Sequence, residues 1–260
     1  MSIIYFLVGL AASIVGSAAG LGGGVIIKPA LDFLDHYDVA TIGVLSSATV
    51  FSMACVSLLK AAQGGIRVKG ATSFTLAAGS VAGGIIGKLV FNHLLNAVEH
   101  PGSITVLQAR ILVVVMILIL LFVKYKHRMK TYCLKNTGVI FLTGICLGSL
   151  STFLGIGGGP LNVAILVLAF SMGTKDAAIN SIFIIFFSQL SSLILIGVTT
   201  GYSHFDLSML YFMIPGGIIG GFVGTILVKR LHERHIDAIF VCTLMLIILI
   251  NFYNMVRYTS

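Results

Sequence analysis

Between Ile111 and Val123 the chain has no polar side chain at all, and comparable apolar runs recur along most of its length. A hydrocarbon core of about 30 Å takes roughly 20 apolar residues to cross as a helix. Backbone inside that core must satisfy its own hydrogen bonds, which leaves helices and closed barrels as the spanning structures. Runs of this length and continuity are helical. The composition agrees: 58% of the 260 residues are hydrophobic and 9% are charged, against about 25% charged in soluble domains. Mean hydropathy is +1.09. The lipid bilayer is therefore the first partner of this chain.

The spacing predicts ten helical segments: 3–19, 24–34, 39–60, 70–92 and 105–124, then 137–154, 159–172, 175–199, 206–228 and 237–256. A basic stretch carrying Lys124, Lys126, Arg128, Lys130 and Lys135 separates the two sets. The N-terminal run to Gly20 lacks the positive start of a secretory signal and has an internal counterpart at Gly138–Leu154, so it is read as structure. The expected division is a first repeat over 1–123, a basic cytoplasmic linker over 124–136 and a second repeat over 137–260.

The halves share a register. Gly9 and Gly144, and Gly20 and Gly155, are 135 positions apart; Gly43 and Asn180, Gly79 and Gly216, Gly83 and Gly220, and Gly87 and Gly224 are 137 apart. The ladders Gly79–Gly83–Gly87 and Gly216–Gly220–Gly224 put small residues on one helix face, where two backbones can approach closely in lipid. Loop charge then orients the halves. Lys60, Arg67 and Lys69, the 124–135 stretch, and Lys229, Arg230 and Arg234 mark cytoplasmic loops by the positive-inside rule. The loop with Asp32, Asp35 and Asp38, and the 93–104 loop with Glu99, His93 and His100, fall outside. The expectation is an all-α polytopic membrane protein of two inverted repeats, five helical segments each, in the cytoplasmic (inner) membrane with both termini outside. The net charge of +8 is absorbed by these loops, and no nucleic acid is implied.

Each repeat is broken at the same place. Gly20-Leu21-Gly22-Gly23-Gly24 interrupts the first, and Gly155-Ile156-Gly157-Gly158-Gly159-Pro160 the second. The segment after the first run spans only about 17 Å at 1.5 Å per residue, too short to cross alone. Each run is expected to be the tip of a Gly-rich broken or re-entrant hairpin, and broken helices from two inverted repeats build binding sites at the repeat interface. A helix starts after each run, so unpaired N–H groups and a positive dipole end face the tip. Two such ends aimed at one cavity favour an anion.

Candidate substrate contacts arise from this arrangement: Gly20, Gly22, Gly23, Gly24, Gly155, Gly157, Gly158 and Gly159 at the tips, with Asn162 at the start of the second short helix. Lys28 is an intramembrane lysine, which costs free energy and faces a cavity or a partner, or else snorkels toward the headgroups. It has no counterpart in the second half, where Val163 stands in register. Lys88 and Arg110 lie nearer span ends and read as snorkelling residues. Ser46, Thr49 and Ser52, and Asn180, Ser181, Ser188, Ser191 and Ser192 with Gln189, form polar stripes that glue helices or line a path. All eight acidic residues lie in loops or at span ends, which argues against coupling through a buried acid. No P-loop, metal-ligand spacing, CxxC pair or nucleophile–base pair is present, so neither a catalytic residue nor a cofactor is expected. The four cysteines read as small hydrophobes.

The doubled glycine motif, with Pro29 and Leu31 after the first copy and Pro160-Leu161 in the second, together with the ladders and Pro215-Gly216, resembles the TauE/SafE family of sulfite and organosulfonate exporters over essentially the whole chain. The first copy has Val25 where the second has Pro160, so the two tips differ in conformation. The resemblance implies a secondary transporter for a small sulfur-containing anion, such as sulfite or a sulfonate, bound between the two tips and moved by alternating access. A passive anion channel, a carrier for another small organic acid and a non-transporting subunit are the readings left open, as is assembly into a homo-oligomer.

Overall fold

A computed structural model describes the chain except residues 1, 64–67, 69, 98–100, 127–130, 155–156 and 260; for 92, 94–97, 101–106 and 254–259 it describes the backbone alone. Arg67, Lys69, Glu99, His100, Arg128, Lys130, Gly155 and Ile156, each of which the sequence reading uses, lie outside the described residues. The described chain is all-helical: α1 (Ser2–Ala19), α2 (Gly24–Leu34), α3 (Val39–Gln63), α4 (Gly70–Ala97), α5 (Pro101–Tyr125), α6 (Thr137–Leu154), α7 (Gly159–Phe170), α8 (Thr174–Thr199), α9 (Leu210–Arg230) and α10 (Glu233–Thr259). Eight of these are long and apolar enough to cross a bilayer. The exceptions are α2 and α7, at 11 and 12 residues. Large apolar side chains such as Leu7, Leu89, Leu118, Val198 and Leu249 point outward, as lipid-facing surfaces require.

The glycine ladders set the packing. A Cβ on Gly216 would stand 2.7 Å from the Phe6 carbonyl, and one on Gly220 2.7 Å from the Leu10 carbonyl. One on Gly224 would overlap the Ile14 carbonyl and the Ser17 hydroxyl. Residue numbers rise together on both partners, so α1 and α9 run parallel with their backbones in contact. The other ladder does the same to α6: Gly79, Gly83 and Gly87 face the carbonyls of Phe141, Ile145 and Ser149. Each half thus packs its ladder helix on the first helix of the other half. The opposite edge of α9 is also bare, and Gly217 and Gly221 face the Thr49 and Met53 carbonyls of α3. Hydroxyls stitch these contacts, with Ser17 Oγ donating to the Gly220 carbonyl (3.2 Å) and Ser149 Oγ to that of Gly83 (3.0 Å). With no hydrophobic drive between helices in lipid, such close contact is what holds them together.

Neighbouring segments of the chain cap the helix ends. The amides of Tyr132 and Leu134 donate to the carbonyls of Leu168 and Ala169 (2.8 and 3.0 Å), which would otherwise be orphaned at the end of α7. Ser171 turns left-handed (φ 49°), and its hydroxyl lies within hydrogen-bond reach of Thr131 Oγ1 (2.8 Å) and the Tyr132 carbonyl (3.0 Å). This stops α7 two residues before the end that apolar pattern alone gives it. Asp38 caps α3, accepting from the amides of Ala40 and Thr41, the usual work of an aspartate at a helix start. At the basic end Lys126 pairs with Asp237 (2.6 Å), and Thr174 Oγ1 donates to the same carboxylate (3.0 Å). That network ties α8 and α10 to the residue just beyond α5.

Candidate anion site

The two glycine runs meet in the interior. A Cβ on Gly159 would overlap the Leu21 carbonyl, and one on Gly20 would overlap Ala178 of α8. Ser181 Oγ, also on α8, donates to the Gly20 carbonyl (2.7 Å) and stands 3.4 Å from the Gly159 carbonyl. Gly23 and Gly158 stand just before the two short helices at φ 64° and 82°, a left-handed turn that side-chain-bearing residues adopt at a cost. That turn reverses the chain so that α2 and α7 start at the contact. The amides of Ile26 and Ile27 donate to the Gly23 carbonyl, and that of Asn162 to Gly158. Pro160 brings no N–H to the first turn of α7, so this end offers one donor fewer than that of α2.

Beside this contact lies a cavity of about 270 Å³. Gly24 and Gly157 reach it from the two runs. Ser46, Ser47 and Val50 of α3 line one side; Ser188, Gln189 and Ser192 of α8 line another; Ser151 and Thr152 close the end of α6. It extends to Val39, Thr200 and Phe205, which are helix ends and loop, on the side away from the basic linker. Among the described residues the lining carries hydroxyls, two amides and two lysines, Lys28 and Lys88, and no carboxylate. A Cβ on Gly157 would sit 3.0 Å from Gln189 Nε2, so the absence of a side chain there leaves the amide room at the cavity wall.

Lys28 is 9% exposed, so it is held inside the protein. Its ammonium donates to Gln108 Oε1 (3.2 Å) and to the Leu154 carbonyl (3.3 Å). Gln108 Nε2 in turn donates to the Phe153 carbonyl (2.5 Å). The last carbonyls of α6 therefore meet a cation and an amide from α2 and α5, where the negative end of the helix favours them. An ammonium has three donors, and the described residues take two of those of Lys28. Asp32, one helical turn further along α2, does not line the cavity, but its carboxylate acts electrostatically on the Lys28 ammonium.

The remaining sequence candidates divide. Gly24, Lys28, Ser46, Gly157 and Gln189 share the cavity. Gly20, Gly22, Gly23 and Gly159 pack against Ala178, Ile185, Ala12 and Leu21 respectively and do not line it. Gly158 abuts Ser151 and Asn162. Asn162 is 2% exposed, and its Oδ1 has no hydrogen-bond partner among the described residues. Thr49 returns its hydroxyl to the Leu45 carbonyl (2.7 Å). Asn180 sits deeper, accepting from Ser73 Oγ and donating to the Asp176 carbonyl. Gly155 is outside the described residues. Residues that sequence reasoning passed over are Gln108, Ser47, Ser151 and Thr152. Gln108 had one signal: it is the single amide side chain of α5, two residues before Arg110. Among the described residues no group of three His, Cys, Asp or Glu side chains could hold a metal ion.

A model of the family described as "Sulfite exporter TauE/SafE" matches residues 5–250. The chain belongs to the TauE/SafE family. It is also 26% identical to the protein named "Probable membrane transporter protein YunE" of Bacillus subtilis (strain 168), over 94% of this chain and 95% of that one. No solved structure matches it. As a TauE/SafE member with eight candidate spans, the chain is a multi-pass membrane transporter.

Proposed function

We propose that this TauE/SafE chain is a secondary transporter that moves a small sulfur-containing anion, sulfite or an organosulfonate, across the cytoplasmic membrane. The observation that carries the reading is the cavity with two lysines and, among the described residues, no carboxylate in its lining. In a low-dielectric interior, cations that face a cavity favour a negative occupant. Hydroxyls of Ser46, Ser188 and Ser192 and the amide of Gln189 supply neutral donors suited to a tetrahedral or pyramidal oxyanion. The start of α2 adds its amides and dipole.

The same geometry supports a carrier over a channel. The cavity opens toward Val39 and Thr200, and the contact of Leu21 with Gly159, bridged by Ser181, lies between it and the basic end. Transport then needs the tips to part on that side and the cavity to close on the other, with the halves moving as inverted repeats. By the positive-inside rule the cavity faces outward, and both termini lie outside.

Purified protein in liposomes tests this directly. Saturable sulfite or sulfonate flux with counterflow is expected. Unsaturable conductive current would replace the carrier by a channel, and an inert reconstituted protein with no anion binding would remove the transport reading for these anions.

A further inference from the structure

At the linker end of the molecule, Lys126, Asp237 and Thr174 close a ring of hydrogen bonds. The Lys126 ammonium donates to Asp237 Oδ2 (2.6 Å) and to Thr174 Oγ1 (3.2 Å), and Thr174 Oγ1 donates to Asp237 Oδ1 (3.0 Å). The lysine and aspartate side chains are 13% and 24% exposed and Thr174 is buried, so solvent screens this pair less than a surface one. The starts of α8 and α10 also approach beside it: a Cβ on Gly173 would stand 2.8 Å from Glu233 Oε1. Only residues 171–173 separate α7 from α8. The short helix that begins at the contact between the glycine runs therefore ends next to this cluster.

The repeat register sets the cluster at the rim of a second mouth. The cavity opens at Val39 and Thr200. The residues 137 positions from these in the other half are Asp176 and Gln63, both exposed, at the start of α8 and the end of α3. An exchange of the halves opens the protein there, two residues beyond Thr174. The two ends differ in what holds them. Tyr37, the counterpart of Thr174, packs edge-on against Tyr5 of α1, with 5.9 Å between ring centroids, beside the open mouth. Thr174 is tied instead to α10 and to the residue just beyond α5. The end that is shut carries the ionic clasp.

We propose that Lys126, Asp237 and Thr174 form a latch that holds the linker side closed, and that breaking it shifts the protein toward the state open on that side. This rests on the carrier reading and adds to it the contact that must release. A two-state protein that loses a contact made in one state alone moves toward the other state. The cluster is such a contact: α8 cannot swing away from α10 at this end without separating Thr174 from Asp237.

The test reads Cys55, which stands 137 positions before Ser192 of the open cavity. The parent is the full-length protein with Cys133, Cys146 and Cys242 replaced by serine, in membrane vesicles treated with an impermeant maleimide on the linker side. Lys126→Gln and Asp237→Asn should each speed labelling about five- to tenfold, the weight of one part-buried charge-assisted pair. The double variant should be no faster than the faster single one, because partners in one contact are not additive. Labelling from the opposite side should stay absent in all of them. Should the charge variants not fold, Thr174→Val keeps the side-chain shape, removes the bridging hydroxyl and should speed labelling about twofold to threefold. Rates equal to the parent's, additive effects of the two substitutions, or labelling of the variants from both sides, as a loosened fold gives, would each overturn the latch. Sulfite separates this from the carrier reading. If sulfite changes the parent's rate and the variants are no faster than the parent, only the latch falls. If the parent is labelled alike from both sides with and without sulfite, the carrier reading falls with it.

Discussion

The Lys28 ammonium reaches across the halves to the carbonyl of Leu154, the last residue of α6, at 3.3 Å. Gln108 completes the link, accepting from Lys28 and donating to Phe153. One of the two cations of the cavity is thereby fixed to the helix end that leads into the second glycine run.

Gln108→Glu turns the neutral partner of Lys28 into a carboxylate. The pair is then internally neutral, and a buried, well-satisfied ion pair need not weaken the fold. The variant should keep the melting temperature within a few degrees and lose anion binding by tenfold or more. Gln108→Leu should do the reverse to the fold: it strips the ammonium of one partner and the Phe153 carbonyl of its donor, costing about 1–3 kcal/mol for each unsatisfied buried group. Thermal unfolding in detergent alongside binding separates the two. Full anion affinity in Gln108→Glu would show that Lys28 does not touch the substrate.

Gly158 and Gly159 are adjacent but act differently. Gly158→Ala puts a side chain at φ 82° and into Ser151; the left-handed conformation alone costs about 1–2 kcal/mol. Gly159→Ala has an ordinary backbone to occupy but drives its Cβ into the Leu21 carbonyl. It should push the two runs apart and stop transport while α7 itself remains helical. Flux assays with circular dichroism on both variants check this, and wild-type transport by Gly159→Ala would mean that the contact between the runs is dispensable.

Apolar run length and turn residues made the ten helices legible, because a bilayer allows few alternatives to helix. The glycine runs were legible as breaks, and Lys28 as a buried cation. What the sequence could not show is which glycines face a ligand and which face another backbone. Gly24 and Gly157 reach the cavity while Gly20 and Gly159 pack on Ala178 and Leu21, yet in a linear motif all four look alike. That distinction is made by the crossing of helices far apart in the chain. Asn180 and Gln189 make the same point on one helix: nine positions apart on α8, one is tied to Ser73 and the other lines the cavity. Gln108 escaped notice because a lone amide near a span end, two residues from Arg110, is uninformative until Lys28 is placed beside it.

Gly43 and Gly220 form a matched pair for testing close helix approach. Both are helical, but a Cβ on Gly43 meets nothing within 4 Å, whereas one on Gly220 falls 2.6 Å from Ser13 Cβ and 2.7 Å from the Leu10 carbonyl. Gly43→Ala should therefore stabilise the protein by about 0.5–1 kcal/mol through helix propensity. It would narrow the cavity it lines only slightly. Gly220→Ala should destabilise by about 1–3 kcal/mol, as overpacking does, because α1 and α9 cannot separate without also losing the Ser17–Gly220 hydrogen bond. Detergent melting curves of the two variants should shift in opposite directions; equal shifts would mean that α1 and α9 are not held by close approach.

The repeat register yields a test of alternating access. Cys55 stands 137 positions before Ser192, and Ser192 lines the open cavity while Cys55 is half-buried. If the halves exchange conformations, the position matching Ser192 must line the opening on the basic side. In a variant with Cys133, Cys146 and Cys242, all exposed, replaced by serine, Cys55 is the remaining thiol. An impermeant maleimide should label it from the side of the 124–135 linker, and a transported anion should change that rate severalfold. The same reagent on the opposite side should leave it untouched. Labelling from that opposite side, or a rate indifferent to every transported anion, would break the exchange of the halves on which the carrier reading depends.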